Sequence, residues 1–188
     1  MANLNPGVNQ PPRSYQPGYL LSLVVREFSG FESRTLAADQ AELTTPNGLT
    51  FIVRERVEKR FMAHTVIAEF FFPLKDTPPG EAEIQFSHTG AFTRTGLRGQ
   101  VKRGGPDATE VEQRLTTNEA FVQTILPLDF QYFQLRQDAD GWHALTGQVG
   151  GAWVVMALPP TRRYVPLGRD QVAALVATFE QLQTLFDS

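Results

Sequence analysis

The sequence predicts an α+β fold: a curved antiparallel sheet, laid out as helix-then-meander halves, with a C-terminal helix packed on it. Three observations predict this. Leu49, Phe51, Val53, Glu55 and Val57 occupy every second position, apolar at all but Glu55, the period of a half-buried strand. Strand-like runs are separated by tight turns such as Pro46-Asn47-Gly48 and Asp138-Ala139-Asp140-Gly141, and tight turns join antiparallel neighbours. Val172, Leu175, Val176, Phe179, Leu182 and Phe186 recur at i, i+3 and i+4, the apolar stripe of a helix lying on a core.

The elements follow in order. Residues 1–18 are rich in Pro, Asn and Gly without periodicity and read as a flexible N-terminal arm. Over Tyr19 to Phe28, Leu21, Val24, Val25 and Phe28 share one helical face, and Gly30 offers a stop. Ala41 to Thr45, the Asn47-Gly48 turn and Leu49 to Glu58 form strands. The chain then returns as Phe61 to Phe72, whose even positions Met62, His64, Val66, Ala68, Phe70 and Phe72 make one strongly apolar face. Pro73 to Gly80 is a loop. Ile84, Phe86 and His88 mark a strand, and Leu97 to Arg103 another, closed by Gly104-Gly105-Pro106. Residues 107–116 fit two states. Asp107 with Glu110 suggests a capping box for a helix, while Val111 to Thr116 fits a strand. Asn118 to Leu126 is a short helix capped by Thr117 or Asn118. Phe130 to Arg136 and Trp142 to Val149 are strands, and Gly150-Gly151 turns into a third, Ala152 to Leu158. Pro159, Pro160 and Pro166 stiffen a connector to the final helix, from about Asp170 to Phe186, because each ring fixes φ and removes an N–H donor. Residues 19–188 therefore read as a single α+β domain, with two similar halves, about 19–105 and 106–188, as an alternative description.

Composition bounds the function. Fourteen Phe against two Trp and four Tyr point to a Phe-filled interior. The net charge of −3 argues against a dedicated nucleic-acid binder. With no cysteine there is no disulfide framework, no thiolate nucleophile and no Cys-ligated metal. Met1 to Pro6 lacks the basic and apolar regions of a signal peptide, and no apolar run approaches the ~20 residues that span a bilayer. The protein is expected to be soluble and cytoplasmic, with no membrane partner.

Three stretches occur together: Val53-Arg54-Glu55-Arg56-Val57-Glu58 followed by Met62-Ala63-His64, then Leu126-Pro127-Leu128-Asp129-Phe130, then Pro159-Pro160-Thr161-Arg162-Arg163-Tyr164. In order and spacing the chain resembles an uncharacterised bacterial family, the domain of unknown function DUF3156, over most of residues 15–186. It departs from the family in carrying only Gly150-Gly151-Ala152-Trp153 where a longer glycine-rich segment is usual. The resemblance implies a bacterial, globular protein and brings no activity with it.

Catalytic signatures are missing: the sequence has no G-x-S-x-G elbow, no P-loop and no H-E-x-x-H. Gly96-Leu97-Arg98-Gly99 lies among strand residues and opens no helix, so it fails as a dinucleotide fingerprint. His64 and Glu69 are five apart on one strand and point to opposite faces. His143 has Asp138 and Asp140 nearby only because those belong to a turn. No metal and no cofactor is expected. His64, on the apolar face, is either a core histidine or a ligand-binding one. Glu55 shares a face with Phe51, Val53 and Val57, which makes it a partly buried carboxylate. It is expected to pair with an arginine across the hairpin or to lie at the rim of the sheet.

Two basic features remain. Residues 84–106 hold no acid but carry Arg94, Arg98, Lys102 and Arg103, with Phe86 and Phe92 nearby. Cations with aromatics on a sheet can hold single-stranded nucleic acid, and they also protect an edge strand from aggregation. Arg162-Arg163-Tyr164 could present guanidinium groups to a carboxylate or phosphate. Alternatively, one arginine pairs with Asp129 or Asp170 while Tyr164 packs under the helix. The leading expectation is a non-enzymatic binding module for a partner protein or a small apolar or anionic ligand, through Arg162, Arg163, Tyr164 and His64. Nucleic-acid binding through the 94–103 face comes second, and an enzyme using His64 with a carboxylate third. A homodimer is compatible with each.

Overall fold

The computed structural model describes residues 15–60, 63–74, 76–90, 94–156 and 160–187. Residues 1–14 of the expected arm, together with Met62, Phe92, Leu158 and Pro159, lie outside the described residues.

Among the described residues nine antiparallel strands form one open sheet, and four helices accompany it: α1 (Tyr19–Glu27), β1 (Glu32–Ala37), β2 (Gln40–Thr44), β3 (Thr50–Arg60), β4 (Ala63–Pro73), β5 (Ala82–Thr89), β6 (Gly96–Arg103), α2 (Pro106–Thr117), α3 (Glu119–Ile125), β7 (Phe130–Asp138), β8 (Gly141–Met156), β9 (Thr161–Val165) and α4 (Arg169–Phe186). The strand order is β1-β2-β3-β4-β8-β7-β5-β6, with β9 added beside the far half of β8. The fold is α+β, with the C-terminal helix packed on the sheet. The β5–β6 hairpin, from the first half of the chain, sits beside β7 from the second.

The helices cover one face. Phe179 of α4 stacks on Phe72 at 4.8 Å and meets Phe51 at 5.5 Å. Phe121 of α3 meets Phe133 at 6.5 Å. Val24 of α1 is fully buried in the same core, as are Leu115 of α2 and Leu175 of α4. Strand alternation places Phe51, Val53, Ala68, Phe70, Phe72, Ile84 and Phe133 together on this inner face. The Phe-rich composition fills it.

Two local expectations are corrected, one open choice is decided, and one strand was not expected. β1 carries no apolar alternation. All six of its residues are exposed, and it is held by its backbone ladder to β2 and by the Arg34–Glu42 ion pair. Residues 107–116 are helical. Gly105 caps α2 and Pro106 occupies the first turn, where a missing N–H costs nothing, so the Asp107/Glu110 box is not formed. Gly150-Gly151 does not reverse the chain. β8 is one strand of 16 residues, with a bulge where Ile67 pairs Ala152 but Glu69 pairs Gly147. Gly151 supplies the positive φ of +66° at that bend, which is why the pair reads as a turn. Finally, the Arg162-Arg163-Tyr164 connector is strand β9, paired with β8 from Ala152↔Val165 to Met156↔Thr161. Thr161, Tyr164 and Val165 favour a strand, and the flanking prolines obscured that preference.

Candidate functional site

Adding β9 to the sheet aligns three strands. His64 of β4 lies opposite Val155 of β8, and Val155 lies opposite Arg162 of β9. Lys59 of β3 extends the same row on the other side of His64. One step inward, Val66, Trp153 and Tyr164 form the next row. Neighbours in such a row stand about 5 Å apart, so the row carries three basic side chains across four strands.

Beside these rows is a cleft of about 220 Å³. Its floor is Val66, Trp153 and Val155; Tyr19 and Leu20 of α1 line one side with Tyr15 and Gln16 before them; Glu55, in register with Ala68, lies at the inner end. Tyr19 meets Trp153 edge-to-face at 5.0 Å. His64 and Arg162 line the cleft together, so folding unites two residues that the sequence treats separately. Burial lowers the pKa of His64 and the Arg162 charge lowers it further, so its ring is neutral at pH 7. Among the described residues Arg162 has no carboxylate within ion-pairing distance.

The other members of the Arg162-Arg163-Tyr164 triplet do different work. Tyr164 donates its hydroxyl to the Glu27 carboxylate, which also accepts Gly168 N–H at 2.8 Å. This ties the end of α1 to β9 and to the start of α4. Burial and the Glu27 charge raise the Tyr164 pKa and keep the hydroxyl protonated. Arg163 alternates to the opposite side of β9 and is exposed. Neither arginine pairs with Asp129 or Asp170: Asp129 is taken by Arg94.

Glu55 neither crosses the hairpin to an arginine nor lies at the rim. It accepts Leu21 N–H at 2.8 Å, Gly18 N–H at 3.1 Å and the Tyr15 hydroxyl at 2.7 Å. Helix α1 has Gly18 at its N-cap and no capping side chain of its own, and the carboxylate from β3 replaces one. His64 and Glu55 line the same cleft, and among the described residues no hydrogen bond joins them.

The four cations of residues 94–103 do not converge. Arg94 is bound by the Asp129 carboxylate and by the carbonyls of Leu126 and Leu128 at 3.1 and 2.9 Å, where it fastens the α3–β7 corner. Arg98 and Lys102 share the face of β6 away from the helices, and Lys102 bonds Gln100 at 2.7 Å. Arg103 alternates to the other side, opposite Glu83. Among the described residues no cluster of three His, Asp or Glu side chains could hold a metal. No helix among them is long and apolar enough to cross a membrane.

Trp153, Tyr19 and Tyr15 were not foreseen as site residues. Trp153 could have been found by pairing β9 with β8. Tyr15 lies in a segment whose placement depends on Glu55, forty residues away.

The family model described as Protein of unknown function (DUF3156) matches residues 26–186. The chain belongs to this family. The match spans β1 to α4, including His64 and Arg162, while Tyr15, Tyr19 and Leu20 precede it. No curated protein and no solved structure matches this DUF3156 member.

Proposed function

We propose that this DUF3156 protein is a non-enzymatic binding module whose site is the cleft between α1 and the β4–β8–β9 end of the sheet. Its ligand is a small molecule with an apolar body and an anionic head. The observation that carries the reading is Arg162: a guanidinium without an acidic partner among the described residues, set at the mouth of a cleft floored by Trp153, Val155 and Val66. Unpaired cations beside apolar surface suit ligands that supply both the anion and the apolar contact. The volume of about 220 Å³ is below the ~300 Å³ at which drug-sized ligands begin, which favours a small one. The proposal keeps the bacterial, cytoplasmic setting expected from the sequence. Nucleic-acid binding draws less support, since Arg94 is bound by Asp129 and Arg103 leaves the face of Arg98 and Lys102.

Native mass spectrometry of freshly purified protein, with thermal-shift screening against small organic acids and their neutral analogues, tests the reading. Acids should raise the unfolding temperature of the native protein and not of Arg162→Gln. If no acid shifts the native protein and none is carried through purification, the cleft is not a ligand site.

A further inference from the structure

Resting on that reading, we infer that the head group is a monocarboxylate, held at Arg162, rather than a phosphate or the zwitterion of an amino acid.

Three features of the cleft select the charge. The first is the guanidinium of Arg162, which can present two parallel N–H donors to the two oxygens of a carboxylate. His64 stands in the same row, two strands away, as a neutral ring that offers one N–H donor and adds no second charge at neutral pH. The second feature is Glu55 at the inner end. It puts a negative charge within the same small cleft, so a dianionic head group meets doubled repulsion from Glu55 along with doubled attraction to Arg162, while its desolvation cost rises about fourfold and decides against it.

The third feature is what Glu55 is already bonded to. A carboxylate offers about four acceptor sites, and three are taken by Tyr15, Gly18 and Leu21. An ammonium on the carbon next to a carboxylate held at Arg162 meets the guanidinium as a like charge, and Glu55, with three acceptor sites taken, has at most one left to offset it. The cleft therefore recognises an anion and disfavours an attached cation. Between the two charges lie Trp153, Val155, Val66 and Leu20, with Tyr19 set edge-on to Trp153. An aromatic or compact aliphatic body fits that lining.

The test is calorimetric titration of the full chain with four probes of matched body: 3-phenylpropionate, benzyl phosphate, phenylalanine and 3-phenylpropanol. Quenching of Trp153 fluorescence reports on the same site. The expected result is that 3-phenylpropionate binds at least about tenfold more tightly than each of the others. Arg162→Gln should weaken it about tenfold or more, and Arg163→Gln should leave it unchanged. Arg162→Lys, which keeps the charge and loses the fork, should fall between native and Arg162→Gln. Benzyl phosphate binding as tightly as 3-phenylpropionate, or more so, overturns the monocarboxylate assignment and leaves the cleft reading standing. Phenylalanine matching it overturns the role given to Glu55, and 3-phenylpropanol matching it removes the head-group contact altogether. If none of the four binds at millimolar concentration while other small acids still shift the unfolding temperature, this inference fails alone. If those acids also fail, the cleft reading falls with it.

Discussion

Strand β4 borders two polar regions of opposite design, one at Glu69 and one at His64, five residues apart and on opposite faces. On the outer face Glu69 is 3% exposed and satisfied by three donors: Arg54 Nε at 2.5 Å, Arg56 Nη1 at 3.2 Å and the Tyr132 hydroxyl at 2.5 Å. The Tyr132 ring lies over Gly147, and Arg56 sits 5.2 Å from the ring centroid. Burial pushes the Glu69 carboxyl up, but the Arg54 charge, the Tyr132 hydroxyl and Arg56 together outweigh it and hold the pKa below the usual range. On the inner face Arg162 lines a cleft beside His64 with no acid to meet it among the described residues. A closed network holds strands together. An open one leaves binding capacity unused by the fold, and that is the physical reason for placing the ligand at Arg162 rather than among the richer charges around Glu69.

Breaking the closed network should have the largest effect. Glu69→Ala leaves two guanidinium groups facing each other with no anion. Loss of one partner of a buried pair costs about 3–5 kcal/mol. Arg54 and Arg56 are 37% and 49% exposed, so solvent screening places the expected loss near the lower end, about 3 kcal/mol. Urea unfolding measures it. A loss under about 1 kcal/mol would mean that the network is surface decoration, and the contrast with the cleft would disappear.

Removing one donor should cost less. Tyr132→Phe deletes a hydrogen bond to a charged group, about 1.5–3 kcal/mol. Gly147→Ala should act on the same bond by another route. A Cβ at Gly147 would meet the Tyr132 ring at 2.5 Å, so the ring must move away from Glu69. Because both changes remove one interaction, the double variant should fall well short of the sum, with a coupling of at least about 0.5 kcal/mol. Strict additivity would show that Tyr132 and Gly147 act separately.

The two regions also differ in how far they were legible. Alternation over residues 49–72 placed Glu69 and His64 on opposite faces, and helical spacing over 172–186 found α4, because both signals are local. Register across strands is not local. The Glu69 network draws on β3, β4 and β7, and the cleft needs β9 in register with β8, which the prolines around Arg162 conceal. Glu55 shows the same limit from the other side. Its apolar neighbours on β3 correctly imply burial, but its partners Tyr15, Gly18 and Leu21 come from a segment whose position only the folded chain defines. β1 was invisible because an exposed strand held by backbone pairing needs no apolar period.

Acidification should erode the closed side in two stages. His143 packs its ring on Phe71 at 4.8 Å, and burial lowers its pKa. Asp138 and the Gly141 backbone oppose the shift, while Arg136 and Arg54 add to it. The unfolded chain therefore takes up the proton first. The stability due to neutral His143 is present above about pH 6.5 and is lost as the pH falls below it toward the folded value. The Glu69 contribution persists to lower pH, being present above about pH 4.3 and lost as the pH falls through its depressed folded pKa. Unfolding free energy should thus fall from pH 7 to 5, less steeply in His143→Gln, and drop again near pH 4 in a step that Glu69→Gln lacks. Parallel profiles for native protein and His143→Gln would remove the first stage.

The smallest effect on stability is expected in the cleft itself. Arg162 has no partner to orphan among the described residues, and its strand is held to β8 by backbone pairing through residues 161–165. Arg162→Gln should change the unfolding free energy by no more than roughly 0.5 kcal/mol, as exposed substitutions usually do. It should also relieve His64 of a neighbouring positive charge, so the His64 pKa rises toward its ordinary value, which NMR titration of the ring would record. Arg163→Gln, on the other side of β9, should leave both quantities unchanged. A side chain that perturbs the electrostatics of a cleft without supporting the fold is left free to meet a ligand. If Arg162→Gln instead costs as much as Tyr132→Phe, Arg162 belongs with Glu69 as a structural residue, and the cleft loses its claim to a ligand.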